Sequence, residues 1–554
     1  MVRGMKIILT SLIVILLTPF IFEETPLDTN SLKVEIPCLY ERVTDGIYYL
    51  NRSIEDVIQI LKETRTDFIF RGWWRWYPCP EDANISLPQE YPSNYVENCV
   101  KRGYTYEDLR EAVSRIKEEI PGIVFCGAIP AQIITRLVWN PLTMDFFYTN
   151  ETWAMALDPS KWGLNKSKEE FQYQFAKWHL WVDPNSTLDE YDYRNVSSYF
   201  PDITNKEFQE LLLSWAIKQI DCGVDAIWID MLFSQASMLY GITQDIYHPA
   251  VKESYEAACK IIDRIHEYGN SMEKYIYVGT WSTCVIYPYE KPSLDFLTAS
   301  PSSREVYEIE LNETKWDERI EAVREKFGDI PYFAFIDWAS TTHTPLGIFS
   351  QYLSKEKQRE FIRKADVFFS KKGISFIYPV HGGWMGNDAE VLSYGISKVY
   401  DSLAPEFETY GSIVELAQNK SKGNPLIYIE KPRSYLYIFD RETIPLKIPI
   451  ILGRITVIVD AYDEDGIDKI EFYIDDIIKF TDCDIPYQWL WNEFAIGRHE
   501  IRAIAYDNER NKVEDKINVM IFNFGERNEK NGQNSLWYCL YFNCLRPALH
   551  LIYN

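Results

Sequence analysis

Three carboxylates in this 554-residue chain stand at or just beyond the ends of short apolar runs. The run Gly223-Val224-Asp225-Ala226-Ile227-Trp228-Ile229-Asp230-Met231 stops at Asp230, and Phe333-Ala334-Phe335-Ile336-Asp337-Trp338 stops at Asp337. Glu305, in Ser302-Ser303-Arg304-Glu305, follows the run Leu294–Thr298 and is the alternative to Asp337. Two carboxyls facing each other across a sugar can cleave a glycosidic bond. One protonates the leaving oxygen, while the other attacks, at about 5 Å separation, or activates water, at roughly 6.5–9.5 Å. Rings and a guanidinium occur at the ends of the same kind of run. They are Arg71, Trp73 and Trp74 in Arg71-Gly72-Trp73-Trp74-Arg75-Trp76-Tyr77, then Trp281, then His381 and Trp384 in His381-Gly382-Gly383-Trp384. Aromatic faces stack on the C–H faces of sugars, and Arg and His hydrogen-bond hydroxyls. The plainer alternatives are a helix cap or a pair with Arg71 for Asp230, a cap for Asp337, and a packed, stapled loop for the Trp segment.

These groups need a scaffold that brings strand ends together. From about residue 45 to 415, apolar runs alternate with amphipathic helical stretches, the rhythm of a parallel sheet with crossover helices. The expected strands are Asp67–Arg71, Ile123–Gly127, Trp178–Val182, Ala226–Asp230, Tyr275–Gly279, Leu294–Thr298, Tyr332–Asp337 and Ile374–Pro379, with Trp153–Asp158 competing for third place. Eight is the number that closes a (β/α)8 TIM barrel, whose reactive groups come from the carboxyl ends of its strands. Asp295 starts a strand and is expected on the opposite face. Expected helices include Ile54–Thr64, Thr105–Glu118, Lys206–Ile220, Pro249–Tyr268, Trp316–Phe327 and Lys355–Lys371.

Other chemistries lack their residues. A metal-dependent hydrolase on this scaffold would want a His-x-His on the first strand; the seven histidines are not so placed, and no metal is expected. No phosphate loop and no Gly-x-Gly-x-x-Gly occurs, so no cofactor is expected. A net charge of −25 disfavours nucleic acid, which needs Lys and Arg for its phosphates. The expected partner is an oligo- or polysaccharide.

The segment before strand four sharpens this. Tyr199-Phe200-Pro201-Asp202-Ile203-Thr204-Asn205 leads into a helix, and Gly223–Met231 follows. This 33-residue stretch resembles the α-glucosidase/α-galactosidase group of retaining glycoside hydrolases. That resemblance implies a TIM barrel and makes Asp230 the counterpart of the nucleophile. The Asn-Glu that follows the motif in that group is Leu232-Phe233 here, and no matching acid is found on the strand-six side. The alternative is a catalytically inactive carbohydrate-binding or cell-envelope protein.

The texture changes at Asn419–Asn424. A barrel over 31–418 is followed by alternating strands over 425–525, among them Arg454–Asp460, Lys469–Asp475, His499–Tyr506 and Lys516–Phe522. Ile470-Glu471-Phe472-Tyr473-Ile474-Asp475, Pro486-Tyr487-Gln488-Trp489, Gly497-Arg498-His499 and Ala505-Tyr506-Asp507-Asn508 resemble the bacterial-type immunoglobulin-like repeats of surface proteins. Such a resemblance implies a spacer or adhesive unit. Residues 1–30, with Arg3 and Lys6 before the apolar run Ile7–Phe22, read as a secretory signal or an uncleaved membrane anchor. Eight Asn-x-Ser/Thr sites fit a glycosylated, extracellular or cell-surface chain. Cys79 and Cys99 flank a polar, Pro-rich insertion that they could staple, and the tail 526–554 has no assigned role.

Overall fold

The computed structural model describes residues 31–44, 50–74, 80, 88, 94–337, 341–391 and 398–525. The segments 1–30 and 526–554 lie outside the described residues, as do Cys79, Trp76 and Trp338.

The first region is a mixed α/β unit. Its main sheet contains β1 (Pro37–Tyr40), β2 (Phe68–Trp74), β3 (Val124–Pro130), β4 (Ala226–Asp230), β5 (Tyr277–Trp281), β6 (Phe296–Ala299), β7 (Tyr332–Ala334), β8 (Ser375–Phe376), β9 (Tyr378–Trp384) and β10 (Val399–Asp401). The order is β8-β7-β6-β5-β4-β3-β2-β1-β9-β10, parallel except for the last pair. The two stretches β8 and β9 are separated by Ile377 alone, whose N–H donates to the Ala334 carbonyl.

The sheet is rolled. Phe68 of β2 lies 5.6 Å from Phe296 of β6 and 5.4 Å from Phe333 of β7 (ring centroids), four and five strands away in the ladder. Only curvature brings those rings together. Alternation along each strand sends Phe68, Phe70, Trp228, Phe333 and Phe335 to this inner layer, and Ile69, Ile227, Ile229 and Ala334 to the layer between sheet and helices. Gly279 fits the inner packing because a Cβ there would meet the Phe296 ring at 2.2 Å.

Helices fill the outer layer, and local sequence sets where they start. Ser53 and Asp56 form a reciprocal capping box at Ile54–Glu63, and Thr105 and Asp108 do the same at Tyr106–Glu119. Asn205 caps Lys206–Asp221, and Ser354 caps Lys355–Lys371.

Two expectations about strands are corrected. Trp178–Val182 is not the third strand: Ser167 caps a helix, Lys168–Trp178, whose Phe171 and Phe175 pack with Leu157 and Phe200 in a satellite core. The competing segment Trp153–Asp158 begins at the end of the helix Thr149–Ala154 and forms one isolated bridge, Ala156 to Pro201. The strand that takes the vacant place is β1, only four residues from Pro37 to Tyr40 and too short to announce itself by period. One strand enters the ladder and one leaves it, so Ala226–Asp230 remains fourth.

The second region is all β. A three-stranded sheet (Leu426–Lys431, Ile455–Tyr462, Gln488–Trp491) faces a seven-stranded one containing Ile467–Ile474, Ala495–Asp507 and Lys512–Asn523. Ile455–Tyr462 alternates buried and half-buried residues along its length, so Val457 and Val459 join Phe472, Trp491 and Ile521 in the core. Against the α/β unit, Val367 packs on Leu426 and Tyr428, and the Tyr428 hydroxyl donates to Glu360 at 2.9 Å.

Candidate active site

Asp230 is the last residue of β4 and is 8% exposed. Both its oxygens accept hydrogen bonds. Trp281 Nε1, at the end of β5, donates to Oδ1 at 2.7 Å; Gln132 Nε2, just past β3, donates to Oδ2 at 2.7 Å. Two N–H donors and the Arg71 charge favour the carboxylate, but burial outweighs them and lifts its pKa above the ordinary aspartate range. Met231 follows in the left-handed region at φ 55° and is 38% exposed. A non-glycine residue held there is strained, a condition that clusters at functional sites.

Near this carboxylate lies a buried ion pair, Arg71 with Glu41. Arg71 sits within β2 at φ 56°, where the register with β3 shifts between Ile69 and Trp73. At the irregularity the guanidinium turns onto aromatic faces, 5.3 Å from the Trp74 ring and 5.6 Å from Trp228. Arg71 Nη2 donates to Glu41 Oε2 at 3.0 Å, and that oxygen also accepts the Gly383 N–H. Glu41, just past β1, is buried; the arginines beside it and the Gly383 N–H hold its carboxyl below the ordinary range against the opposing effect of burial.

A cavity of about 520 Å3 opens at the same ends of β4, β5 and β6. Its walls include Met231, Trp281, Ser300, Arg319 and Asp337. Asp337 is half-buried three residues beyond β7; its N–H donates to Ser300 Oγ at 3.2 Å and its carbonyl accepts from Leu346 N at 2.8 Å. Trp281 ties the two carboxylates to one place, since it holds Asp230 and lines the cavity that Asp337 also lines.

Other candidates do different work. Glu305 caps the short helix Ser303–Glu308: Oε2 accepts from Ser302 N and Oγ, and Oε1 accepts from Asn312 N and Trp316 Nε1. Both of its oxygens are thus committed to local structure. Trp73 is 2% exposed and packs in the layer between sheet and helices, 6.3 Å from Tyr106. Trp74 is buried in the inner core beneath the cleft. His381 is locked by Asp401, Nδ1 to Oδ2 at 2.6 Å, and lies 5.0 Å from the Tyr40 ring; Arg52 completes the carboxylate at 2.8 Å. Trp384 is half-buried at the end of β9, paired with Val399. In the Pro-Asp-x-Thr-Asn segment, Asp202 accepts from Thr204 N and Gln235 Nε2, pairs with Lys161, and so fixes the start of the next helix.

Glu41 and Gln132 are the functional candidates that the sequence did not suggest. Glu41 follows the short β1, and Gln132 lies two residues beyond an apolar strand with no charge to mark it.

A model of the bacterial Ig domain family matches residues 450–503. No curated protein matches the chain. Solved structures similar to it include fibronectin(III)-like modules of Clostridium thermocellum CbhA, at 24% identity over 20% of this chain and 52% of that one, TM-score 0.15. A Bacteroides uniformis β-glucuronidase aligns at 9% identity over 89% of this chain and 46% of that one, TM-score 0.37. A modular endo-β-1,4-mannanase from Cellulomonas fimi aligns at 10% identity over 88% and 94%, TM-score 0.31. The chain thus spans about half the length of the first two.

Proposed function

We propose that this chain is an extracellular carbohydrate-active enzyme that hydrolyses glycosidic bonds, with Asp230 and Asp337 as its carboxyl pair. The observation that carries the reading is Asp230: a buried carboxylate at a strand's carboxyl end, clamped through both oxygens by Trp281 and Gln132, beside a cavity that contains Asp337. Two fixed donors suit Asp230 to the role of nucleophile or base; Asp337, half-buried in the cavity wall, is the acid. Trp281 and Met231 are the cavity surfaces against which a sugar ring stacks. We read the rolled ladder as a (β/α)8 barrel closed through residues 375–384, which supports placing every strand end on one face. Cys99 is disulfide-bonded, which supports an oxidising compartment outside the cell.

A second reading, a carbohydrate-binding protein on an enzyme scaffold, is favoured by one observation. Glu305 is spent on a cap, so Asp337 has no substitute if it stands too far from Asp230. The test is hydrolysis of a panel of oligo- and polysaccharides by the full chain, the Asp230→Asn variant and the Asp337→Asn variant. Turnover lost in both variants supports the enzyme. Glycan retention without turnover, unchanged in Asp337→Asn, supports the binding protein.

A further inference from the structure

Arg319 is the one cationic side chain among the described residues lining the cavity, and it forms no ion pair with any described acid. In a chain with 82 acidic and 57 basic residues, many helix cations such as Arg115, Arg264 and Arg363 are paired with a carboxylate, and Arg319 is not. It is nevertheless held in place. Its guanidinium carbon stands 4.7 Å over the Trp316 ring, Nη1 makes a long contact, 3.4 Å, to the Ser300 carbonyl, and the side chain also reaches the Tyr332 hydroxyl. Trp316 is in turn fixed by its Nε1 donation to Glu305 at 3.0 Å. The capping glutamate therefore supports the platform on which the arginine rests. Around the guanidinium stand neutral donors and acceptors: the Tyr332 hydroxyl, 3.1 Å from Ser282 Oγ, and Ser300, whose Oγ accepts from Asp337 N.

An arginine presented on an aromatic face, with its donors unspent on carboxylates, matches a planar anion through paired N–H groups. We propose that the cavity beside Asp230 takes an anionic glycan and that Arg319 binds its acidic group, the carboxylate of a uronic acid or a sulfate ester. The proposal rests on the reading of this cavity as a glycan site. It adds a specificity that the overall charge works against: a surface of net charge −25 repels polyanions, so their selective retention needs a built cation.

The experiment uses the full chain and four probes: polygalacturonate, its fully methyl-esterified form, dextran sulfate and dextran. Affinity is read by titration at fixed ionic strength and hydrolysis by reducing-end release. Expected is at least about tenfold tighter binding of polygalacturonate or dextran sulfate than of the matching neutral polymer, reduced about tenfold in Arg319→Gln and largely kept in Arg319→Lys, the order of one charge-assisted hydrogen-bond set. Which acidic polymer is preferred separates carboxylate from sulfate. The Asp337→Asn variant, which leaves Arg319 in place, keeps the charge preference while losing turnover. Equal binding of charged and neutral polymers, or an Arg319→Gln variant with the same melting temperature and unchanged preference, overturns the proposal and leaves the glycosidase reading intact. No binding or cleavage of any of the four overturns both.

Discussion

The two ends of the rolled sheet use the same residue for opposite purposes. At the amino ends, Asp67, Asp225 and Asp295 repeat one device. Each donates its own N–H to a carbonyl of the preceding strand and takes that strand's N–H on its carboxylate. Asp225 N–H donates to Phe125 O at 2.9 Å, and Asp225 Oδ2 accepts from Phe125 N at 3.0 Å. Asp295 does this with Val278, and Asp67 with Ile36. The remaining oxygen capacity is also filled: Asp225 pairs with Lys117 and Lys274, and Asp295 takes Tyr275 and His266. These aspartates finish the parallel ladder, whose first N–H groups would otherwise have no acceptor. At the carboxyl ends, Asp230 finishes nothing. Its partners are side chains from neighbouring strand ends, no cation balances it directly, and burial raises its pKa. Burial raises the pKa of Asp67 as well, so the two ends differ in their partners: backbone N–H groups of the neighbouring strand at one, side chains beside a cavity at the other.

The sharpest way to break that comparison is to exchange charge for amide at each end. Asp230→Asn is expected to lower turnover about 1,000-fold, within the range for a lost proton-transfer or attacking group. It is also expected to melt higher than the parent at pH 7. By linkage, a folded-state pKa raised above the unfolded value contributes stability below the unfolded pKa and loses it as pH rises through the folded one, so at neutral pH the ionised Asp230 is a net cost. A variant that melts lower and keeps its activity would make Asp230 a structural residue like the other three. Asp295→Asn should do the reverse. Its Tyr275, His266 and Val278 donors lose their charged acceptor, at about 1–3 kcal/mol of stability with kcat unchanged, read by denaturant unfolding beside the assay.

Trp281→Phe keeps most of the ring and removes one N–H from Asp230. About tenfold is the expected loss in kcat, the order of one hydrogen bond to a charged group. The more telling readout is the pH profile. With a donor gone, burial is opposed by less, so the acidic limb of activity, governed by protonation of Asp230, should move to higher pH. A limb that stays in place would show that another group controls it.

Much of this contrast is legible in the amino-acid sequence. The run ending at Asp230 and the position of Asp295 before its strand assign them to opposite ends of the sheet by pattern alone, because alternation and strand polarity are local properties. What stays hidden depends on non-local geometry. Pro37–Tyr40 is four residues long and is a strand only because Phe68–Trp74 and Tyr378–Trp384 flank it, so Glu41 has no strand end to mark it. Lys168–Trp178 carries β-favouring aromatics at its end, but Ser167 caps a helix there and tertiary packing decides for it. Trp73 and Trp74 are adjacent in the chain and alternation sends the first outward and the second inward; what the pattern does not announce is the turn of the Arg71 guanidinium onto the inner aromatic rings. In the second region the alternation is long enough for strand positions to be read almost directly, as with Ile455–Tyr462.

The smallest expected effect tests the boundary between the two kinds of carboxylate. Glu305 lies just past β6, on the functional side of the sheet, yet its oxygens do what Asp295 does at the other end: they satisfy backbone N–H groups, here of Ser302 and Asn312. These contacts hold its carboxyl below the ordinary range although burial opposes them. A depressed pKa contributes stability above the unfolded value that is lost as pH falls through the folded one. Glu305→Gln is therefore expected to cost about 1 kcal/mol at neutral pH, the usual worth of a cap, and less than that below about pH 4, where the parent loses the same contribution. With Asp337 proposed as the acid, turnover on a neutral glycan should change by less than about threefold, since Glu305 reaches the cavity only through Trp316 and the Arg319 that rests on it. A loss as large as that of Asp337→Asn would return Glu305 to the catalytic pair, and position along the strand would no longer predict what a carboxylate does in this sheet.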